Sequence, residues 1–147
     1  MADISMKIVM GVVLLLCGVQ DVIKKKIYLW IVLTGVLFVS ICIPFCHTIS
    51  IPDRIGGLII GAMVILISVM TSGKIGLGDG MLLCVTGLGL GFWGNLELFA
   101  LALFLAAVLS IILLVFRLAD RKKSIPFVPF LLLSYLFLIV ANMRAGV

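Results

Sequence analysis

Two aspartates, Asp21 and Asp79, are the residues of this sequence best suited to chemistry. Each stands at the edge of a long apolar run, where an ionisable side chain is costly and therefore a functional candidate. Two carboxyl groups in contact do not readily ionise together, so one keeps a proton while the other loses it. Such a pair supplies a general base that activates water and a general acid that protonates a leaving group, with no metal and no covalent intermediate. Asp21 and Asp79 are therefore the candidate residues for such a pair.

Asp79 lies in a glycine-rich stretch, Gly73-Lys74-Ile75-Gly76-Leu77-Gly78-Asp79-Gly80. Glycines leave the backbone thinly covered, so an extended chain can approach it and pair with it. The positions predicted to supply this flexible or substrate-binding backbone are Gly76, Gly78 and Gly80. Simpler alternatives exist for both aspartates. Asp79 could cap the helix that follows, and Asp21 could pair with Lys24 or Lys25 at a helix end.

Other catalytic arrangements find little support in the sequence. His47 is the one histidine and falls on the opposite membrane face from the aspartates, which disfavours a serine or cysteine nucleophile with a histidine base. A His-Glu-x-x-His motif is absent. Cys42, Cys46 and His47 are close enough in sequence for a metal or disulfide site, although structural metal sites normally have four ligands. We predict no metal and no cofactor.

The composition indicates a membrane protein. Of 147 residues, 65% are hydrophobic and 12% are charged, whereas globular chains have about 45–50% apolar and about 25% charged residues. The apolar residues form long continuous runs along nearly the whole chain, unlike the short alternating segments of a β-barrel. We predict a single all-α, polytopic transmembrane domain over residues 1–147.

About six transmembrane helices can be drawn, with a turn at Gly94-Asn95 between the fourth and the fifth. The N-terminus lacks a signal-peptide pattern, so the first apolar segment is expected to stay as a span. In the third predicted segment, Gly56-Gly57 and Gly61 suit close helix packing. The predicted segments are Ile4–Gln20, Ile27–Cys46, Ile55–Met70, Gly80–Trp93, Glu97–Phe116 and Ile125–Val140.

Orientation follows from the basic residues. Eight of the 11 Lys and Arg residues fall in the loops after the first, third and fifth segments, which favours a cytoplasmic position for those loops and an N-out, C-out topology. These charges suit topology and anionic lipid rather than nucleic acid. Between Asp21 and Asp79 the chain crosses the membrane twice, so both carboxylates are predicted at the cytoplasmic face.

Several segments of the chain resemble those of a known family. Gly76-Leu77-Gly78-Asp79, followed by Leu82-Leu83, resembles the GxGD motif of type IV prepilin peptidases, which are aspartyl proteases of bacterial membranes. Asp21, followed by Lys24-Lys25-Lys26 and Ile27, is similar to the first catalytic aspartate of that family with its basic stretch. Two further segments resemble the openings of later helices in the family, and the matches keep their order over most of the chain. These segments are Asp53-Arg54-Ile55-Gly56-Gly57 and Ile125-Pro126-Phe127-Val128-Pro129-Phe130.

The resemblance implies a function. Asp21 and Asp79 would be the catalytic pair that removes the leader peptide of a prepilin or pseudopilin, after a glycine, on the cytoplasmic side of the bacterial inner membrane. The expected partners are that substrate and membrane lipid. Tyr28-Leu29 and Met81 depart from the Pro-Asn pair and the Lys common in the family, which bears on substrate preference. Larger members have an added cytoplasmic region with cysteine pairs that methylates the product, and its absence here implies a peptidase alone.

Two other functions are compatible with the sequence. The chain could be a small transporter in which Asp21 and Asp79 relay protons. It could also be a non-catalytic assembly subunit of a pilus or secretion machine. A transporter would act without peptide cleavage, and an assembly subunit would tolerate Asp79→Asn.

Overall fold

A computed structural model describes residues 2–24, 29–45, 49–71, 76–116 and 127–145. Within these ranges the chain is helical apart from short connections, and it contains no β-strand. The prediction of an all-α protein is therefore confirmed. The helices are α1 (Ala2–Lys24), α2 (Leu29–Cys42) with a short 3-10 helix (Ile43–Phe45), α3 (Ile51–Met70), α4 (Leu77–Val115) and α5 (Val128–Ala145).

Three of these helices are long and apolar enough to cross a membrane. The spans are Met6–Ile23 of α1, Ile51–Met70 of α3 and Leu77–Val115 of α4, while α2 and α5 are shorter apolar helices. Large apolar side chains such as Ile23, Trp30 and Met70 are more than 70% exposed. Exposed apolar side chains are favourable in contact with lipid tails, whereas they are unfavourable in contact with water. Exposure of this kind fits a membrane protein.

The core forms where α1 meets α4 and α5. Met6, Met10, Leu14 and Cys17 are buried on one stripe of α1, at the three- and four-residue spacing of a helix face. Asp21 continues this stripe and is also buried. The helix runs to Lys24, four residues beyond the predicted end of the first segment, so Asp21 lies in its last turn.

The long helix α4 folds back on itself at Gly91. Gly91 has φ 75° and ψ −172°, a backbone conformation that glycine adopts far more readily than other residues. The Asn95 Nδ2 donates to the Leu83 carbonyl at 3.0 Å, although 12 residues of straight helix would separate these positions by about 18 Å. The predicted turn at Gly94-Asn95 is therefore three residues late, and Asn95 is buried within the second limb.

Asp53 and Arg54 at the start of α3 cap both sides of this break. The Arg54 guanidinium donates to the Leu88 carbonyl at 2.6 Å, and the Phe92 N–H donates to Asp53 Oδ1 at 3.2 Å. A cation thus stabilises the carbonyl end of the first limb, and an anion stabilises the amide end of the second. These contacts satisfy backbone groups that lipid could not.

Helix α3 packs antiparallel against the first limb of α4. Gly57 lies against Gly87, Gly61 against Cys84, and Gly80 against Ile65, and a β-carbon at any of these glycines would clash with the facing backbone. Small residues allow this close approach, as they do in other membrane helix pairs. The predicted packing role of Gly57 and Gly61 is confirmed. The resulting hairpin places the N-terminal end of α4 at a fixed height relative to α3.

Candidate functional site

Asp21 is buried between α1 and the N-terminus of α5. Its side chain is 9% exposed, and its Oδ2 accepts a hydrogen bond from the Val128 N–H at 3.2 Å. Val128 is the first residue of α5, and the first N–H groups of a helix have no partner within the helix. Asp21 therefore joins the last turn of α1 to the first turn of α5. Of the alternative partners predicted for Asp21, the side chain of Lys24 and the whole of Lys25 lie outside the described part of the chain.

Asp79 lies in the first turn of α4 and is half-buried. The helix cap is Gly76, which has an extended backbone and no side-chain capping bond, and the Asp79 N–H donates to the Gly76 carbonyl at 3.1 Å. The alternative in which Asp79 caps the helix is therefore wrong. An acidic side chain in a first helical turn still interacts favourably with the helix dipole.

The two aspartates lie close enough for the charge of Asp21 to act on Asp79. They come from the last turn of α1 and the first turn of α4, and the chain between them passes through α2 and α3. The fold thus places two carboxyl groups that are far apart in the sequence within electrostatic range of each other. Like charges at short range in an apolar surrounding interact strongly because little water screens them.

The three predicted glycines differ in their surroundings. A β-carbon at Gly76 would lie 2.8 Å from the Asp79 Oδ2, so the missing side chain leaves room for that carboxylate. Gly78 is half-buried in the same turn. Gly80 is buried, and a β-carbon there would lie 2.9 Å from the Ile65 nitrogen, so its missing side chain serves helix packing.

The sequence profile of the type IV leader peptidase family matches residues 8–115. The chain belongs to this family. The matched range contains both Asp21 and Asp79, together with the fold-back at Gly91. No curated protein and no solved structure matches the chain. Family membership makes peptide-bond hydrolysis the reaction class, and the apolar helices make this leader peptidase family member a membrane protein.

Sequence reasoning missed one polar residue beside the aspartate pair of this peptidase. Gln20 precedes Asp21 directly, and its Oε1 is buried without a hydrogen-bond partner. Buried polar atoms nearly always have a partner, so an exception needs an explanation. The signal was available, because Gln20 is the only glutamine in the chain and interrupts an apolar run.

The described part of the chain offers no group of three or more His, Cys, Asp or Glu side chains that could hold a metal ion. Cys42 is a half-buried free thiol at the end of α2. Cys46 and His47, the other members of the possible metal or disulfide site, lie outside the described residues.

Proposed function

We propose that this protein is an intramembrane aspartyl endopeptidase. It removes the leader peptide of type IV prepilin-like or pseudopilin substrates at the cytoplasmic face of the bacterial inner membrane. The observation that supports the proposal is the electrostatic interaction of Asp21 with Asp79 inside the range that matches the leader peptidase family. That match does not favour the transporter or the assembly subunit.

Hydrolysis needs one proton held between the two carboxyl groups. The unprotonated carboxylate removes a proton from water, and the hydroxide so formed attacks the carbonyl carbon of the scissile peptide bond. The protonated carboxyl then donates its proton to the leaving nitrogen, the C–N bond breaks, and the pair again holds one proton. The products are a carboxylic acid at the leader end and a new amino terminus, and the reaction consumes one water.

We infer six membrane crossings, with the two limbs of α4 counted separately. The first limb, residues 77–90, is about 21 Å long, and the second, residues 92–115, is about 36 Å long at about 1.5 Å per residue. Because the hydrocarbon core is about 30 Å thick, the first limb is too short to reach both interfaces. If the fold-back lies near the extracytoplasmic interface, the other end of the first limb lies below the cytoplasmic interface. The aspartate pair at that end is then recessed within the membrane.

The N-out, C-out orientation has a simple test. Val22 is exposed in the last turn of α1, so a cysteine there, in a chain without the native cysteines, should face the cytoplasm. A membrane-impermeant thiol reagent added to intact cells should leave it unlabelled. Labelling from outside would contradict the proposed side of cleavage.

Conservative substitution of the aspartates tests the proposed chemistry. Asp21→Asn and Asp79→Asn keep the side-chain shape but remove the titrating group, and each should lower the cleavage rate at least about a hundredfold. Cleavage is measured in reconstituted membranes by mass spectrometry of the new N-terminus of a co-expressed prepilin. Thermal unfolding should show that both variants remain folded.

Asp53→Asn is the matched control. Asp53 is also an aspartate of the helical bundle, but it lies at the fold-back, where its Oδ1 accepts a hydrogen bond from the Phe92 N–H. An asparagine Oδ1 can accept the same bond, so cleavage should persist. The proposal fails if either active-site asparagine variant cleaves at the wild-type rate.

A further inference from the structure

The Oε1 of Gln20 is a hydrogen-bond acceptor without a donor. It is shielded from solvent, while the residue as a whole remains partly exposed. An acceptor buried in this way is destabilising in the free protein. A site that must receive a hydrogen-bond donor from a ligand would leave such an acceptor open.

Gln20 and Asp21 occupy the same turn of α1 but face different neighbours. Successive helical residues are about 100° apart around the axis, and Asp21 faces the start of α5 through Val128. Gln20 is seven residues after Val13, so the two share a face. Val13 lies against Gly35 of α2. Gln20 therefore borders the aspartate pair on the side of α2.

An apolar groove runs along this face of α1, and its lining ends at Leu16, one helical turn before Gln20. It opens between α1 and α2, has a volume of about 280 Å³, and is lined by residues such as Val9, Val13 and Leu16 of α1 and Ile31 of α2. Val9, Val13, Leu16 and Gln20 follow one another at four, three and four positions, which is one helix stripe. The groove is almost entirely apolar, and Gln20 continues the same stripe of α1 toward Asp21.

We propose that Gln20 binds substrate by accepting a hydrogen bond from a main-chain N–H beside the scissile bond, while apolar side chains that follow the cleavage point lie in the groove. This inference rests on the proposed function and adds a substrate-binding residue to it. A helical substrate must be unwound locally before its peptide bond is reached, and unwinding frees N–H groups that lipid cannot satisfy. A neutral N–H suits a shielded acceptor better than a lysine ammonium, whose desolvation is costly.

Gln20→Met tests the proposal because methionine has a similar length and no acceptor of comparable strength. The assay uses a synthetic peptide with a basic leader ending in glycine, followed by about 20 apolar residues, in lipid nanodiscs. We expect KM to rise about tenfold with kcat unchanged, since the bond is present in both the bound substrate and the transition state. The thermal midpoint of the free enzyme should stay the same or rise, because an unpaired buried group is removed.

Val22→Met is the control, because Val22 is exposed in the same turn of α1. It should leave KM unchanged. If Gln20→Met lowers the thermal midpoint and leaves KM unchanged, Gln20 is a structural residue and the proposal is wrong.

A second measurement identifies the donor. A series of peptides has one backbone N–H replaced by an ester oxygen at each position around the glycine. At one position the replacement should raise KM about tenfold for the wild-type enzyme and leave KM unaltered for Gln20→Met. The absence of any such position overturns the inference. Failure of the wild-type enzyme to cleave any parent peptide would instead contradict the proposed function itself.

Discussion

Gly76 determines how much room the Asp79 carboxylate has. The backbone of Gly76 is extended, with φ −64° and ψ 121°, a conformation open to any residue. Glycine is therefore required here for steric reasons and not for its backbone conformation, because a β-carbon would lie 2.8 Å from the Asp79 Oδ2. Glycine at this position can thus be explained by the proximity of the Asp79 carboxylate.

Gly76→Ala should displace the Asp79 carboxylate without unfolding the protein. We expect kcat to fall at least about tenfold, since small misplacement of a catalytic group is costly, while the thermal midpoint changes little. The measurement is steady-state cleavage together with thermal unfolding. Gly11→Ala is the control, because a β-carbon there would lie 3.5 Å from the Tyr135 ring in ordinary contact. Wild-type kcat in Gly76→Ala would contradict this role.

The fold-back of α4 depends on a small polar cluster. Asn95 Nδ2 donates to the carbonyls of Gly57 and Leu83, each at 3.0 Å, and its Oδ1 accepts a bond from the Thr86 hydroxyl at 2.6 Å. One side chain thus joins α3 to both limbs of α4. Because Asp79 lies in the first turn of the first limb, this cluster holds the limb that carries Asp79 from its far end.

Asn95→Ala should destabilise the protein more than it affects chemistry. It removes three buried hydrogen bonds, each of which contributes about 0.5–1.5 kcal/mol, while the Thr86 hydroxyl keeps its bond to the Leu83 carbonyl at 3.2 Å. We expect a clear drop in the thermal midpoint in nanodiscs. Ser110→Ala is the control, since the exposed Ser110 hydroxyl bonds only to the Ala106 carbonyl of its own helix. An equal, small effect of both substitutions would show that the cluster does not stabilise the fold-back.

The position of the fold-back shows what the sequence alone could predict. The apolar runs and the break between the fourth and fifth segments were predictable from composition and glycine content. The sequence has candidate break points at Gly87, Gly89, Gly91 and Gly94, and nothing local distinguishes them. Gly91 is selected because Asp53 and Arg54, nearly 40 positions earlier, cap the two helix ends beside it.

At the scale of the whole molecule, two helices, α2 and α3, separate Asp21 at the end of α1 from Asp79 at the start of α4. The order of apolar segments predicts that the two residues lie at the same face, and in the structure the charge of Asp21 acts on Asp79. The hydrogen bond between Asp21 and Val128 could not be predicted from the sequence, because it joins residues 107 positions apart. The unpaired Gln20 oxygen could not be predicted either, since the absence of a partner depends on how individual atoms pack.

The central claim is that Asp21 and Asp79 act as one catalytic unit, and a double-mutant cycle on cleavage tests it most directly. Single-turnover rates of leader removal are compared for wild type, Asp21→Asn, Asp79→Asn and the double variant. Groups that act as a unit are strongly non-additive, because losing one already removes the shared mechanism. We predict that the double variant is no slower than the slower single variant. Losses that multiply, or a single variant with wild-type rate, would contradict the shared role of the two carboxyl groups.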